Sequence, residues 1–230
     1  YNIQEKNMLF SILRGASGIE IAILFLARLF VVFCTLPVHE YAHAFVADKL
    51  GDKTARLSGR LTLNPMAHID ILGAIMILFV GFGYAKPVPV NPRNFKNPKK
   101  GMALTALAGP FSNILMAVVF MFLSNVLSLF GNSLFVQAFY VFFSFAASIN
   151  IGLAVFNLIP IPPLDGSRVL ELLIPDKYYY KFAQYERYIV IVIFGLIIFG
   201  VLDAPLAFLQ NHLYSALNYI VSLPFRAFKG

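Results

Sequence analysis

His39-Glu40-Tyr41-Ala42-His43 fits the pattern H-E-x-x-H. On a helix, residues four apart stack on one face with Cβ atoms about 5–6 Å apart, so both imidazoles can reach one Zn2+. Glu40 is placed to take a proton from water activated by the metal, not to bind the metal itself. The plain alternative is a pair of satisfied helix histidines. The surroundings weigh against it, because residues 15–47 carry only Glu20, Arg28 and Glu40 as charges. A charge near the middle of a bilayer costs at least about 2.5–3.5 kcal/mol. Three ionisable groups together need a common reason, and a metal is the simplest.

A catalytic tetrahedral Zn2+ takes three protein ligands plus water, one more than two histidines supply. The candidate is Asp165 in "FNLIPIPPLDGSRVL", the first charged residue after an uncharged run that begins at 134. Pro160, Pro162 and Pro163 prevent regular helix there. Unwound backbone at membrane depth is tolerated only where protein covers it or it lines a cavity. Asp165 before Gly166 reads as a ligand on a turn; the alternative is an N-cap for a helix over 167–174, and the two roles are compatible.

The elements that must position these groups are membrane helices. Of the 230 residues, 59% are hydrophobic and 13% charged, far from the balance of soluble domains. Stretches 103–130, 134–164 and 204–225 have no Lys, Arg, Asp or Glu. With 15–47, each is long enough to cross a hydrocarbon core about 30 Å thick, which predicts four spans and up to six. Segment 71–85 is too short to span as a helix and reads as re-entrant or tilted. Segment 188–223, broken at Asp203-Ala204-Pro205, is either a hairpin of two membrane helices or one span plus a surface helix. The helix bearing the histidines should end at Gly51, with Lys49 near its C-terminal dipole.

A net charge of +7 invites a nucleic-acid reading, which the placement of the basic residues argues against. Lys49, Lys53, Arg56 and Arg60 fill one loop; Lys86, Arg93, Lys96, Lys99 and Lys100 another; Arg168, Lys177, Lys181 and Arg187 a third. The turn Gly131-Asn132-Ser133 has no charge. By the positive-inside rule, 48–102 and 165–187 lie in the cytoplasm and 131–133 outside. Lone Cys34 supports no disulfide framework. The chain opens on Tyr1, as a trimmed N-terminus would, and no cleavable signal peptide is evident. No repeat or second soluble domain interrupts 1–230, which predicts one membrane-embedded domain.

Two motifs together carry a family likeness. H-E-x-x-H in one span, and N-x-x-P-x-x-P-L-D-G from Asn157 to Gly166 at the end of another, closely resemble the site-2 protease family of intramembrane zinc metalloproteases. "AGPFSNI" (108–114) is similar to that family's glycine-proline-x-x-asparagine segment. "GRLTLNPMAHIDILG" with "AKPVPVNPRNFKNPKKG" resembles a small bacterial subgroup built of little beyond the catalytic core. The resemblance implies one Zn2+ per chain on His39, His43 and Asp165, with Glu40 as acid/base and Asn157 near the scissile carbonyl. It implies an all-α polytopic fold with core spans about 19–50, 103–130 and 134–159 and C-terminal helices in 188–223. The implied activity is an endopeptidase cutting within or near transmembrane segments of protein substrates. The lipid setting is the cell inner (plasma) membrane, with the active site toward the cytoplasm.

Further expectations attach to single residues. Alternation at Leu57, Leu61 and Leu63 around Gly59 predicts a small membrane-associated β-hairpin within the loop region 52–102, and the edge at 56–63 would receive the substrate as an added strand. Asn157 either donates to the developing oxyanion or makes an inter-helix hydrogen bond. His68 is a rival ligand that ranks lower, as a solvated or supporting group in a loop. Asn113 should pack helices, Arg28 should snorkel, and His212 has no companion. The competing functions are a catalytically silent membrane scaffold, a metal transporter and a diiron-type lipid oxidase. The last needs more clustered histidines than the four present, and a transporter needs ligands strung along a path.

Overall fold

The computed structural model describes residues 18–79, 83–131, 133–175, 177–178 and 184–226. Residues 80–82 of the stretch expected to re-enter, Asn132 of the outer turn and Lys181 of the third basic loop lie outside them.

The first span, α1, runs Gly18–Lys49 over 32 residues. Within it, Val31–Thr35 widens to a π-helical turn. Pro37 follows two residues later; it has no N–H for the carbonyl four residues back, and the wider turn is where the ladder adjusts. Thr35 Oγ1 donates to Val31 O at 3.1 Å within that turn. Gly51, at φ +110°, ends the helix as expected.

The connection to the next span holds no strand among the described residues, which corrects the expected β-hairpin. Thr54–Leu57 forms a helical turn, α2. Asp52 decides this: its buried carboxylate accepts from Thr54 N and Thr54 Oγ1, and also from Asn91 N and Asn94 Nδ2 at 2.7 Å each. Those bonds start a turn and tie it to the segment before the next span. Gly59, at φ +69°, closes the turn, with Arg60 N on Ala55 O. Three leucines at period two cannot outweigh that local bonding, and the substrate edge expected at 56–63 is lost with the hairpin.

Pro65–His68 is a short helix, α3, capped by Asn64, and Ile71–Phe79 is α4. The chain from Gly83 returns alongside α4: a Cβ on Gly73 would sit 1.9 Å from Tyr84 O, and Lys86 N donates to His68 O. The described residues on either side of 80–82 therefore lie alongside one another. Arg28 does not snorkel; it is buried, and its Nη1 donates to Leu78 O at 2.6 Å.

The second span, α5, covers Pro98–Leu127, with Asn97 as N-cap and Pro98 in its first turn. The third, α6, covers Leu134–Asn157, with Ser133 as N-cap. The short helix α7, Gly166–Leu173, follows the proline-broken stretch. Helices α8, Glu186–Ile198, and α9, Asp203–Arg226, complete the described chain. Among the described residues three helices, α1, α5 and α6, have both the length and the apolarity to cross a membrane. Four spans were expected; α9 has the length, but Gln210, Asn211, His212 and Asn218 dilute its apolarity. The protein is multi-pass and its environment is a lipid bilayer.

Small residues let these helices approach closely. Ala117 of α5, Ala146 and Ala147 of α6 and Leu206 of α9 share one buried cluster with Phe120, Met121, Ile151 and Val155. An aromatic layer joins the three spans: Phe30 lies 5.7 Å from Phe120 and 5.6 Å from Phe142, and Phe120 lies 6.1 Å from Phe143 between ring centroids.

Candidate metal centre

The helical repeat of α1 stacks His39 and His43 one turn apart, both buried, with their Nε2 atoms 3.0 Å from each other. Asp165 arrives from the proline-broken stretch after α6, and its Oδ2 lies 3.4 Å from each Nε2. Asp165 occupies the N-cap position of α7 yet makes no side-chain capping bond. Its carboxylate turns to the imidazoles instead.

Two glycines make this convergence possible. A Cβ on Gly109 of α5 would lie 2.3 Å from His43 Nε2 and 2.5 Å from His39 Cε1, so the α5 backbone is pressed against both rings. A Cβ on Gly166 would meet Leu158 O at 2.3 Å and Ile159 O at 2.6 Å, so the turn carrying Asp165 folds tightly onto the end of α6. Any other residue at either position would displace a member of the trio.

Hydrogen bonding determines which atoms are free. His43 Nδ1 lies 2.8 Å from Thr105 O. A carbonyl only accepts, so Nδ1 carries the hydrogen and, in the neutral ring, Nε2 presents its lone pair inward. Asp165 Oδ2 is buried and makes no hydrogen bond among the described residues. The lone pair of His43 Nε2 and the Asp165 carboxylate thus face the same point, which is costly unless a proton or a cation is shared there.

The donor set fits zinc. Its ligands sit at about 2.0–2.2 Å in a tetrahedron, so neighbouring ligand atoms are about 3.3 Å apart. The three separations here, 3.0, 3.4 and 3.4 Å, match that edge. Two imidazoles and one carboxylate are also a known catalytic set that leaves a fourth position open. Access comes from the carboxylate side: the Asp165 side chain is 23% exposed, those of His39 and His43 only 6% and 11%.

Glu40 is buried next to His39 in α1. Asn157 ends α6, and its Nδ2 donates to Leu153 O at 3.0 Å, a bond within its own helix and not between helices. His68 is not solvated; it is fully buried, its Nε2 is 2.7 Å from Thr62 O, and it stands apart from the trio. His212 is exposed, with Nδ1 on Phe208 O. Sequence reasoning missed Thr105 as the partner of His43 and Gly109 as the surface beneath both rings. The Gly-Pro pair at 109–110 was a visible signal, but its contact was not.

Comparison with known proteins follows the same division of the chain. The family model described as Peptidase family M50 matches residues 123–200, which include Asn157 and Asp165 but not the His39–His43 motif. The chain is 45% identical over 168 residues to "Putative zinc metalloprotease YwhC" of Bacillus subtilis, covering 72% of this chain and 74% of that protein. It is 27% identical over 164 residues to Rip2 of Mycolicibacterium smegmatis, covering 69% of this chain and 60% of that one. It is 26% identical over 158 residues to "Zinc metalloprotease MJ0392" of Methanocaldococcus jannaschii, covering 68% of this chain and 37% of that one. No solved structure matches the chain.

Proposed function

The chain belongs to peptidase family M50 and is a multi-pass membrane metallopeptidase, and from that premise we propose that it hydrolyses peptide bonds within or near transmembrane segments of other membrane proteins. The observation that carries this reading is the meeting of His39 Nε2, His43 Nε2 and Asp165 Oδ2 within 3.0–3.4 Å at a buried helix interface. These three atoms would hold one zinc, which would supply Lewis-acid polarisation of a peptide carbonyl and a water of lowered pKa.

The chain's own groups do the rest. Thr105 O fixes the tautomer and orientation of His43. Glu40, buried one residue from His39, takes the proton from the attacking water and passes it to the leaving amine. Asn157 supplies a donor to the developing oxyanion by releasing Leu153 O, a contribution of up to about 3–4 kcal/mol for one such donor. A helical substrate shields its own carbonyls, so the segment to be cut unwinds before it enters beside Asp165. The basic loops support an entrance toward the cytoplasmic face of the cell inner membrane. On this reading the chain over 1–230 is a single membrane-embedded domain built around this one site.

The test is Glu40→Gln in the full chain, purified in detergent and reconstituted with a single-span substrate. Zinc content should stay at one per chain while cleavage falls by about 100- to 10,000-fold, the range for losing a general base. Unchanged cleavage would remove Glu40 from the mechanism. Wild-type protein that holds zinc but cuts no membrane substrate would leave a silent scaffold.

A further inference from the structure

His43 has an acceptor for its outward nitrogen, but His39 does not: His39 Nδ1 is buried without a hydrogen-bond partner among the described residues. With both Nε2 lone pairs turned to a metal, Nδ1 of His39 must carry hydrogen. A metal-ligating histidine almost always donates that hydrogen onward. Two further amides are stranded in the same interior. Asn113 of α5 is 1% exposed with both Oδ1 and Nδ2 unpartnered, and Asn150 of α6 is fully buried with Oδ1 unpartnered.

The register of the spans brings these groups to one level. Thr105 faces His43, and Gly109, four residues on, faces both His39 and His43, so α5 climbs past α1 in the opposite sense. One further turn of α5 reaches Asn113, beyond His39. Phe120 of α5 stacks on Phe143 of α6. Asn113 lies seven residues before Phe120, and Asn150 seven after Phe143. In antiparallel helices, seven residues in those two senses is the same two-turn step along the membrane normal. Histidine side chains on α1 lean toward the helix N-terminus, which carries the His39 ring toward that level.

Resting on the zinc site above, we propose that Asn113 is the positioning residue for His39 and is itself held by Asn150. His39 Nδ1–H donates to Asn113 Oδ1, Asn113 Nδ2–H donates to Asn150 Oδ1, and Asn150 Nδ2 already donates to Ala146 O at 2.8 Å. Side-chain rotation, or one ordered water at a step, closes the chain. Donors and acceptors then match, and all four stranded atoms are satisfied without a new charge. The chain also ties all three spans to one ligand, so His39 keeps its orientation when the site opens for substrate.

The experiment measures Zn2+ affinity of the full chain in detergent by competition with a chromophoric chelator, together with the visible spectrum of the Co2+-loaded protein. Asn113→Leu should lower Zn2+ affinity by about 10- to 100-fold and shift the Co2+ bands, the usual cost of losing such a partner. Asn113→Asp keeps an acceptor and should retain affinity within a few-fold. Asn150→Leu should give a smaller loss than Asn113→Leu. Wild-type affinity in Asn113→Leu, or an equal loss in Asn113→Asp, overturns the proposal. If Asn113→Leu does not fold, the Asp and Asn150 variants decide alone: normal affinity in the first with a loss in the second supports the chain, and any other pair of results refutes it. Wild-type protein that binds no Zn2+ would instead refute the metal centre on which this rests.

Discussion

Gly109→Ala isolates the most exacting contact in the site. The added Cβ would lie 2.3 Å from His43 Nε2 and 2.5 Å from His39 Cε1, where ordinary contact begins at 3.4 Å. Relief requires about 1 Å of movement by the rings or by α5. Metal–ligand distances tolerate only about 0.2 Å, and the rings cannot retreat without breaking the bond from His43 to Thr105 O. Zinc affinity should therefore drop at least 10- to 100-fold. Cleavage should fall by about 100-fold or more, the cost of misplacing reacting groups by 1 Å. Helix propensity works in the opposite direction, since alanine stabilises a helix interior by about 0.5–1 kcal/mol over glycine. Gly152→Ala is the matched control: its Cβ would meet only the flexible end of Gln210, at 3.3 Å. The assay is zinc per chain at buffered free zinc, followed by cleavage of a reconstituted single-span substrate. Normal zinc and normal cleavage in Gly109→Ala would refute the reasoning, because the α5 backbone could then not be pressed on the imidazoles.

Other outcomes follow from the same geometry. Asp165→Ala should lower zinc affinity by several orders of magnitude, read by chelator competition, while the helical content seen by circular dichroism stays constant. Gly166→Ala should also reduce zinc loading, because its Cβ meets backbone at Leu158 and Ile159 that cannot yield cheaply. A strong chelator should abolish cleavage, and added Zn2+ should restore it. Asp52 is held below the ordinary carboxylate range by its bonds to Thr54, Asn94 and Asn91, which outweigh its burial. A depressed folded pKa gives stability that is fully present above the unfolded value of about 3.9 and fades as pH falls through the folded one. Melting curves of wild type and Asp52→Asn should accordingly differ at pH 7 and converge under acid; a gap that widens as pH falls would contradict this.

Local interactions made part of the site legible. The spacing of His39, Glu40 and His43 is a property of one helix, and helix geometry alone places the two rings together. The end of α1 at Gly51 and the proline-broken run before Asp165 are equally local. Expectations failed where a local pattern was weak and a distant bond was strong. Leu57, Leu61 and Leu63 alternate as a strand would, but Asp52, joined to Asn91 and Asn94, held the region in turns. Arg28 looked able to snorkel because nothing in its own helix shows that Leu78 O lies within reach.

The amino-acid order by itself determined that the chain lives in a bilayer, that the runs at 15–47, 103–130 and 134–164 are long and apolar enough to cross it, and that one helix face carries a pair of imidazoles. Only the folded chain decided that Asp165 Oδ2 closes the trio at 3.4 Å from each ring, that Thr105 sets the tautomer, and that Gly109 leaves room for both histidines. The physical reason is range. Hydrogen-bond ladders and hydropathy act between near neighbours in sequence, whereas a metal centre needs ångström-scale placement of atoms from separate helices, which packing alone supplies.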